Sequence, residues 1–124
     1  MLATEKLIGF VPITDAARAK SFYAEKLGLK FVSEDSFAVV FDANGNMLRL
    51  TRMNEVKPQA FTILGWQVSD IVGTVKRLHE AGVTFERLGN FMQQDELGIW
   101  AAPGGAKVAW FKDPDGNTLS VSQH

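Results

Sequence analysis

Two histidines, no cysteine and two short Asp-rich turns are the obvious groups this chain offers to a metal ion or a transferable proton. The turns, Asp42-Ala43-Asn44-Gly45-Asn46 and Asp113-Pro114-Asp115-Gly116-Asn117, each cluster several oxygen donors. A helix-flanked calcium loop also needs alternating donors, a glycine at its sixth position and a distal glutamate. Neither segment has that spacing or context. Both lie between apolar, β-rich runs and read as hairpin turns, with Gly45 supplying a positive φ. His79 falls opposite the apolar face of a predicted helix and is expected in solvent, while His124, at the end of the sequence, is expected to fray. With no cysteine, disulfides, thiolate metal sites and a thiol nucleophile are excluded.

Arg49 is the most suggestive single residue. Strand alternation sends Leu48 and Leu50 to the core and Met47, Arg49 and Thr51 to the opposite side. If that side lines a cleft, the guanidinium would meet a carboxylate, phosphate or carbonyl of a ligand. The alternative is a structural ion pair with an acid such as Glu96, and both readings stand at this point.

The elements that position these residues come from an internal repeat. Asp42…Leu48-Arg49-Leu50 lines up with Asp113…Leu119-Ser120-Val121. Thr14-Asp15 and the stretch ending Leu27-Gly28-Leu29-Lys30-Phe31 line up with Ser69-Asp70 and the stretch ending Ala81-Gly82-Val83-Thr84-Phe85. Self-similarity at fixed offset marks a duplicated supersecondary unit. The first copy reads as a strand over 6–13, a helix capped by Asp15 and ended by Gly28, and strands over 29–33, 36–41 and 46–53. Ala16, Ala19, Phe22, Tyr23 and Leu27 form that helix's apolar face.

The second copy reads as a strand over 61–68, a helix over 70–81 capped by Ser69 or Asp70, and strands over 83–87, 106–112 and 118–123. Its helical apolar face is Ile71, Val72, Val75, Leu78 and Ala81. The offset grows between the helix caps and the turns, so extra residues concentrate in 88–105. The fold class is therefore α+β: two paired β-α-β-β-β modules forming a curved mixed sheet around a cleft. We expect a single domain over 1–124, with module one at 1–53, a polar linker at 54–60 and module two at 61–124.

Sheet alternation nominates the cleft lining. Ile8, Phe10 and Pro12 share a face, as do Ile63, Gly65 and Gln67, leaving Leu64, Trp66 and Val68 for the helix side. Trp66 is thus expected in the core. The facing of Trp110, inside an apolar run, is left open. The inserted 88–105 segment is rich in apolar side chains without a clean period, so it is expected to fold over something. It either contributes Phe91, Met92 and Trp100 to a ligand pocket as a lid, or covers a sheet edge or a dimer interface.

Composition narrows the partners. The chain is 46% hydrophobic with a net charge of −1 and no basic stripe, which argues against nucleic acid. No apolar run approaches the roughly 20 residues needed to span a bilayer, and no signal sequence is visible, so no membrane role and a cytoplasmic location are expected.

The repeat order, the Ser/Thr-Asp before each helix, Phe22-Tyr23…Leu27-Gly28 and above all Phe111-Lys112-Asp113-Pro114-Asp115-Gly116-Asn117 resemble the vicinal oxygen chelate superfamily. That group includes glyoxalase I, fosfomycin-resistance enzymes, extradiol dioxygenases and bleomycin-resistance proteins. The resemblance covers essentially the whole chain. It implies metal ligands at four repeat-equivalent positions: His or Gln seven residues before each pre-helix Asp, and Glu seven after each hairpin Asp. Here those positions hold Ile8, Ile63, Arg49 and Ser120. Isoleucine has no lone pair, arginine is cationic, and one serine hydroxyl is a poor host for a divalent cation. A register error of one residue would substitute only leucines, Gly9, Thr62 or Val121.

The resulting expectation is a metal-independent, cofactor-free small-molecule binding protein of the glyoxalase/bleomycin-resistance type, sequestering an apolar or anionic ligand. Its ligand-binding set is Ile8, Phe10, Met47, Arg49, Ile63, Gln67, Phe91, Met92, Trp100, Trp110 and Ser120, with no metal ligand. The alternative is a glyoxalase- or dioxygenase-like enzyme (lyase, isomerase or oxygenase) using Arg49 as electrophile or an unrecognised metal site. The resemblance also implies a homodimer.

Overall fold

The computed structural model describes residues 1–89 and 93–124. The chain divides into two units, Met1–Lys57 and Pro58–His124, and each is built in the same order.

In the first unit β1 (Ile8–Ile13) leads to α1 (Ala16–Ser21), followed by β2 (Lys30–Glu34), β3 (Ala38–Ala43) and β4 (Asn46–Arg52). The Asp15 carboxylate accepts the Arg18 amide at 3.0 Å and so starts α1, satisfying a first-turn N–H that has no partner within the helix. The expected regular helix does not run through to Leu27. After Ser21 it opens into a π-helical turn, Phe22–Lys26, closed by the Leu27 amide on the Phe22 carbonyl at 3.1 Å. Two consecutive rings, Phe22 and Tyr23, are buried there, with centroids 5.4 Å apart. Gly28 then leaves with φ 73°, the left-handed conformation that ends a helix cheaply only without a Cβ.

The strands order β1-β4-β3-β2, with β1 parallel to β4 and the other pairs antiparallel. Register sorts the side chains by face. Val11, Ile13, Leu48, Leu50, Val39 and Phe41 are buried together with the inner residues of α1. These inner faces supply the hydrophobic driving force, roughly 25 cal/mol for each Å² of apolar surface removed from water.

The second unit holds β5 (Leu64–Gln67), α2 (Ile71–Glu80), β6 (Trp100–Ala101), β7 (Lys107–Lys112) and β8 (Thr118–Gln123). Asp70, rather than Ser69, caps α2 by accepting the Gly73 amide at 3.1 Å, and the Gln123 side chain accepts the Ile71 amide at 2.9 Å. Ile71 and Val75 are buried, whereas Val72 and Ala81, expected on the same face, are exposed. Val83, just past the helix, is buried instead. The sheet order β5-β8-β7-β6 repeats that of the first unit strand for strand. The α+β class and the duplicated β-α-β-β-β order are thus present in the structure.

The segment with the extra residues is flanked by an edge of this sheet. The strand expected over 83–87 reduces to one bridge, Phe85 to Phe111, with the Glu86 amide bonded to the Trp110 carbonyl at 2.8 Å. Further along the same edge of β7, Trp100 pairs with Val108 and Ala101 with Lys107. The edge is one antiparallel partner cut in two by the insertion. In the first unit the corresponding strand carries only a bulge, between Phe31 and Ser33. A bulge is already a site where pairing is interrupted, and so tolerates insertion. On either side of this point the units match: Phe31 meets Phe41 edge-on at 5.9 Å, and Phe85 meets Phe111 edge-on at 5.5 Å.

The two Asp-rich segments are hairpin turns. Asp42 accepts the Gly45 amide at 3.1 Å. Asp113 does more: one carboxylate oxygen accepts the amides of Asp115 and Asn117, both at 2.9 Å, and the other accepts the Asn117 side-chain amide at 2.9 Å. With Asp113 5% and Asn117 2% exposed, this is a buried, mutually satisfied knot.

Candidate functional site

Each sheet has one face turned away from its helix, and the nominated residues collect there. In the first unit two rows can be read from the register. Ile8 lies beside Met47, which lies beside Asp42; Phe10 lies beside Arg49, which lies beside Val40. Ile8, Phe10 and Met47 are 47%, 62% and 43% exposed, an apolar surface that a sheet ordinarily hides. The structure therefore brings Ile8, Phe10, Met47 and Arg49 together on one face.

A half-open hollow of about 510 Å³ lies at the Ile8 end of this face, lined by Leu7, Ile8, Val32, Val40 and Met47, with Glu5, Lys6 and Asp42 supplying charge. Its volume falls in the range of small-molecule sites. Val40 was readable from alternation along 36–41. Val32 was not, because it sits at the bulge, where the two-residue period breaks.

Arg49 is half-buried on this face, and no ion pair joins it to any described residue of its own unit. Within its own unit the structural alternative, an ion pair with a neighbouring acid, is not formed. Nearby acids are engaged elsewhere. Glu34 pairs with Arg52 at 2.8 Å and with Lys20 at 3.5 Å. Asp35 accepts the amides of Phe37 at 2.7 Å and Ala38 at 2.9 Å. Those two hydrogen bonds hold the Asp35 carboxyl below its ordinary pKa, and the charges of Arg49 and Arg52 add to the effect.

The second unit's open face is aromatic. Trp110 lies beside Ser120, which lies beside Gly65; one row over, Trp100, Val108, Ser122 and Gln67 line up. This settles the facing of Trp110: it shares a side with Ser120, and its ring lies 5.9 Å from that of Trp100. Trp66 points the other way, is half-buried rather than in the core, and stacks on Phe111 at 6.5 Å. Ile63 precedes β5 and donates its amide to the Thr118 carbonyl at 2.9 Å, which continues the same register. Ile63, Gln67, Trp100, Trp110 and Ser120 thus belong to one face. Gly65 permits a close approach there, since a Cβ on it would meet the Ser120 hydroxyl at 3.0 Å.

Phe91 and Met92 lie outside the described residues. The described part of the insertion is braced from within. Gln94 donates to the carbonyls of Glu86 at 2.9 Å and Gly98 at 2.8 Å, and accepts the Leu88 amide at 2.8 Å. Arg87 donates to the carbonyls of Asp95 and Glu96.

Among the described residues no group of three or more His, Asp or Glu side chains converges to hold a metal ion. At the positions that the resemblance nominates as ligands stand Ile8 and Arg49 in the first unit and Ile63 and Ser120 in the second, of which only Ser120 offers an oxygen donor. Those residues do not fit a divalent metal. No helix among the described residues is long and apolar enough to cross a membrane.

Residues 7–121 match the family model of the Glyoxalase/Bleomycin resistance protein/Dioxygenase superfamily, and the chain belongs to that family. No curated protein matches it. Among solved structures, a member of the same superfamily from Sphaerobacter thermophilus DSM 20745 is 23% identical over the full length of both chains, with a TM-score of 0.75. TnmS3, an antibiotic binding protein from Streptomyces sp. CB03234, is 23% identical over 99% of this chain and 98% of its own (TM-score 0.73). A lactoylglutathione lyase from Agrobacterium tumefaciens is 18% identical over 96% and 93% (TM-score 0.73). These likenesses establish the fold; one scaffold carries both binding and catalysis.

Proposed function

We propose that this protein binds a small molecule without a metal ion, as a sequestering protein of the glyoxalase/bleomycin-resistance type. The observation that carries the reading is the donor set at the family's chelating positions, where two isoleucines, an arginine and a serine replace the expected ligands. The open sheet faces support it, since they offer apolar and aromatic surface with few polar anchors, the usual make-up of ligand sites. The likeness to TnmS3, an antibiotic binding protein, supports the reading. The ligand-binding residues are Ile8, Phe10, Met47, Arg49, Ile63, Gln67, Trp100, Trp110 and Ser120, with Phe91 and Met92 from the insertion.

The protein is further proposed to act in the cytoplasm as one domain and as a homodimer. The resemblance supports the assembly, and so does the exposure of Phe10, Phe37 and Phe61. Elemental analysis of purified protein tests the central claim. Less than stoichiometric Ni, Zn, Mn or Fe is expected, and one tightly held ion per chain overturns it. Light scattering tests the dimer.

A further inference from the structure

We infer that the first sheet's open face selects a single-anion ligand, an apolar body whose carboxylate is received by Arg49; this rests on the binding role proposed above. The argument is one of charge placed on an apolar surface. Arg49 stands in the row Phe10, Arg49, Val40, with Ile8 and Met47 one row along and Pro12 and Thr51 one row the other way, so its guanidinium rises from a surface that is mostly carbon. A half-buried cation needs a partner for its fork of donors. Arg52, on the same strand, has one in Glu34. Arg49 forms no ion pair with a described residue of its own unit, and the carboxylate whose charge it stabilises, Asp35, is committed to two backbone amides.

The charges on this face are unevenly partnered. Asp42 and Glu5, together with Lys6, lie at the Met47 end, two residues (about 7 Å) along the strand from Arg49. Asp42 is tied to the Gly45 amide and does not swing to neutralise Arg49. The ligand's anionic group is received by Arg49, which no described acid of its own unit pairs, and its apolar body extends over Ile8 and Met47 into the hollow. A planar carboxylate matches the guanidinium fork by two parallel hydrogen bonds, which an amide or alcohol of the same shape cannot make with equal strength.

A matched pair of probes on the full chain tests this. Naphthalene-2-carboxylate and naphthalene-2-carboxamide share a body and differ in charge, and their affinities are read by calorimetry or by amide shifts in NMR. The carboxylate is expected to bind about tenfold more tightly, the scale of one charge-assisted contact. Arg49→Gln should remove the preference by weakening the carboxylate alone, and Arg49→Lys should restore part of it. Arg52→Gln, which removes an already paired cation, should leave the preference intact. Equal affinity for the two probes, or a preference that survives Arg49→Gln, overturns the anion inference while leaving the binding role standing. Failure of both probes to bind overturns the binding role of this face and the inference with it.

Discussion

Trp100 and Trp110 lie on the same side of the second sheet, their rings 5.9 Å apart and inclined at 36°, although Trp100 comes from the insertion and Trp110 from a central strand. The contact is a diagonal cross-strand pair: Trp100 opposes Val108, and Trp110 is two residues further along. It fixes the returning end of the insertion to the open face. Two indoles this close couple electronically, so far-ultraviolet circular dichroism should show an exciton couplet. Trp100→Phe and Trp110→Phe should each abolish it. Trp66→Phe should leave it, because Trp66 stacks on Phe111 on the other side of the sheet.

The Asp113 knot should be worth more than its counterpart in the first unit. Asp113→Ala strands two amides and a side-chain amide in a buried turn, and a loss of about 2–4 kcal/mol is expected from urea unfolding. Asp42→Ala frees a single exposed amide and should cost about 0.5–1 kcal/mol. Equal losses would mean that burial does not separate the two turns.

These turns show how much of the fold was legible in the residues. Each unit's order follows from period-2 and period-3.6 patterns punctuated by Asp caps and glycines, and those are local signals that the structure keeps. The parity of Arg49 with Met47, and of Gln67 with Gly65, was likewise set by strand alternation alone. What could not be read is where the period fails. The bulge at Val32 and the insertion after Glu86 break the alternation, so the strand expected over 83–87 became a bridge and Trp100–Ala101 became the remainder of that edge. Trp110 was undecidable because its run is apolar on both faces. Only pairing with Ser120 assigns it.

Asp35 should impose a measurable acid limb on stability. Its folded pKa lies below the ordinary carboxylate value, so the folded state binds that proton less readily than the unfolded chain. The resulting stabilisation is present in full above the unfolded pKa and is lost as pH falls through the depressed folded value. In denaturation between about pH 2 and 6, the advantage of the wild type over Asp35→Asn should therefore shrink toward the acid end. Arg49→Gln should raise the Asp35 pKa slightly in NMR titration, since Arg49 contributes to its depression. An unchanged value would remove Arg49 from the neighbourhood of Asp35.

Gly65 and Ser120 should behave as a coupled pair. They are register partners on the open face, and a methyl at Gly65 would meet the Ser120 hydroxyl at 3.0 Å, closer than side-chain carbons ordinarily sit. Gly65 has no positive φ, so nothing in its backbone forbids alanine. The conflict is with one oxygen atom. Gly65→Ala alone should therefore destabilise by about 1–2 kcal/mol through overpacking. In a Ser120→Ala background the oxygen is gone, and the same change should be neutral or stabilising by up to about 1 kcal/mol, because alanine loses less backbone entropy than glycine on folding. A double-mutant cycle by chemical denaturation measures the difference as a coupling energy. Additive effects would show that Ser120 yields freely, and that the glycine is not needed for the close approach of β5 to β8.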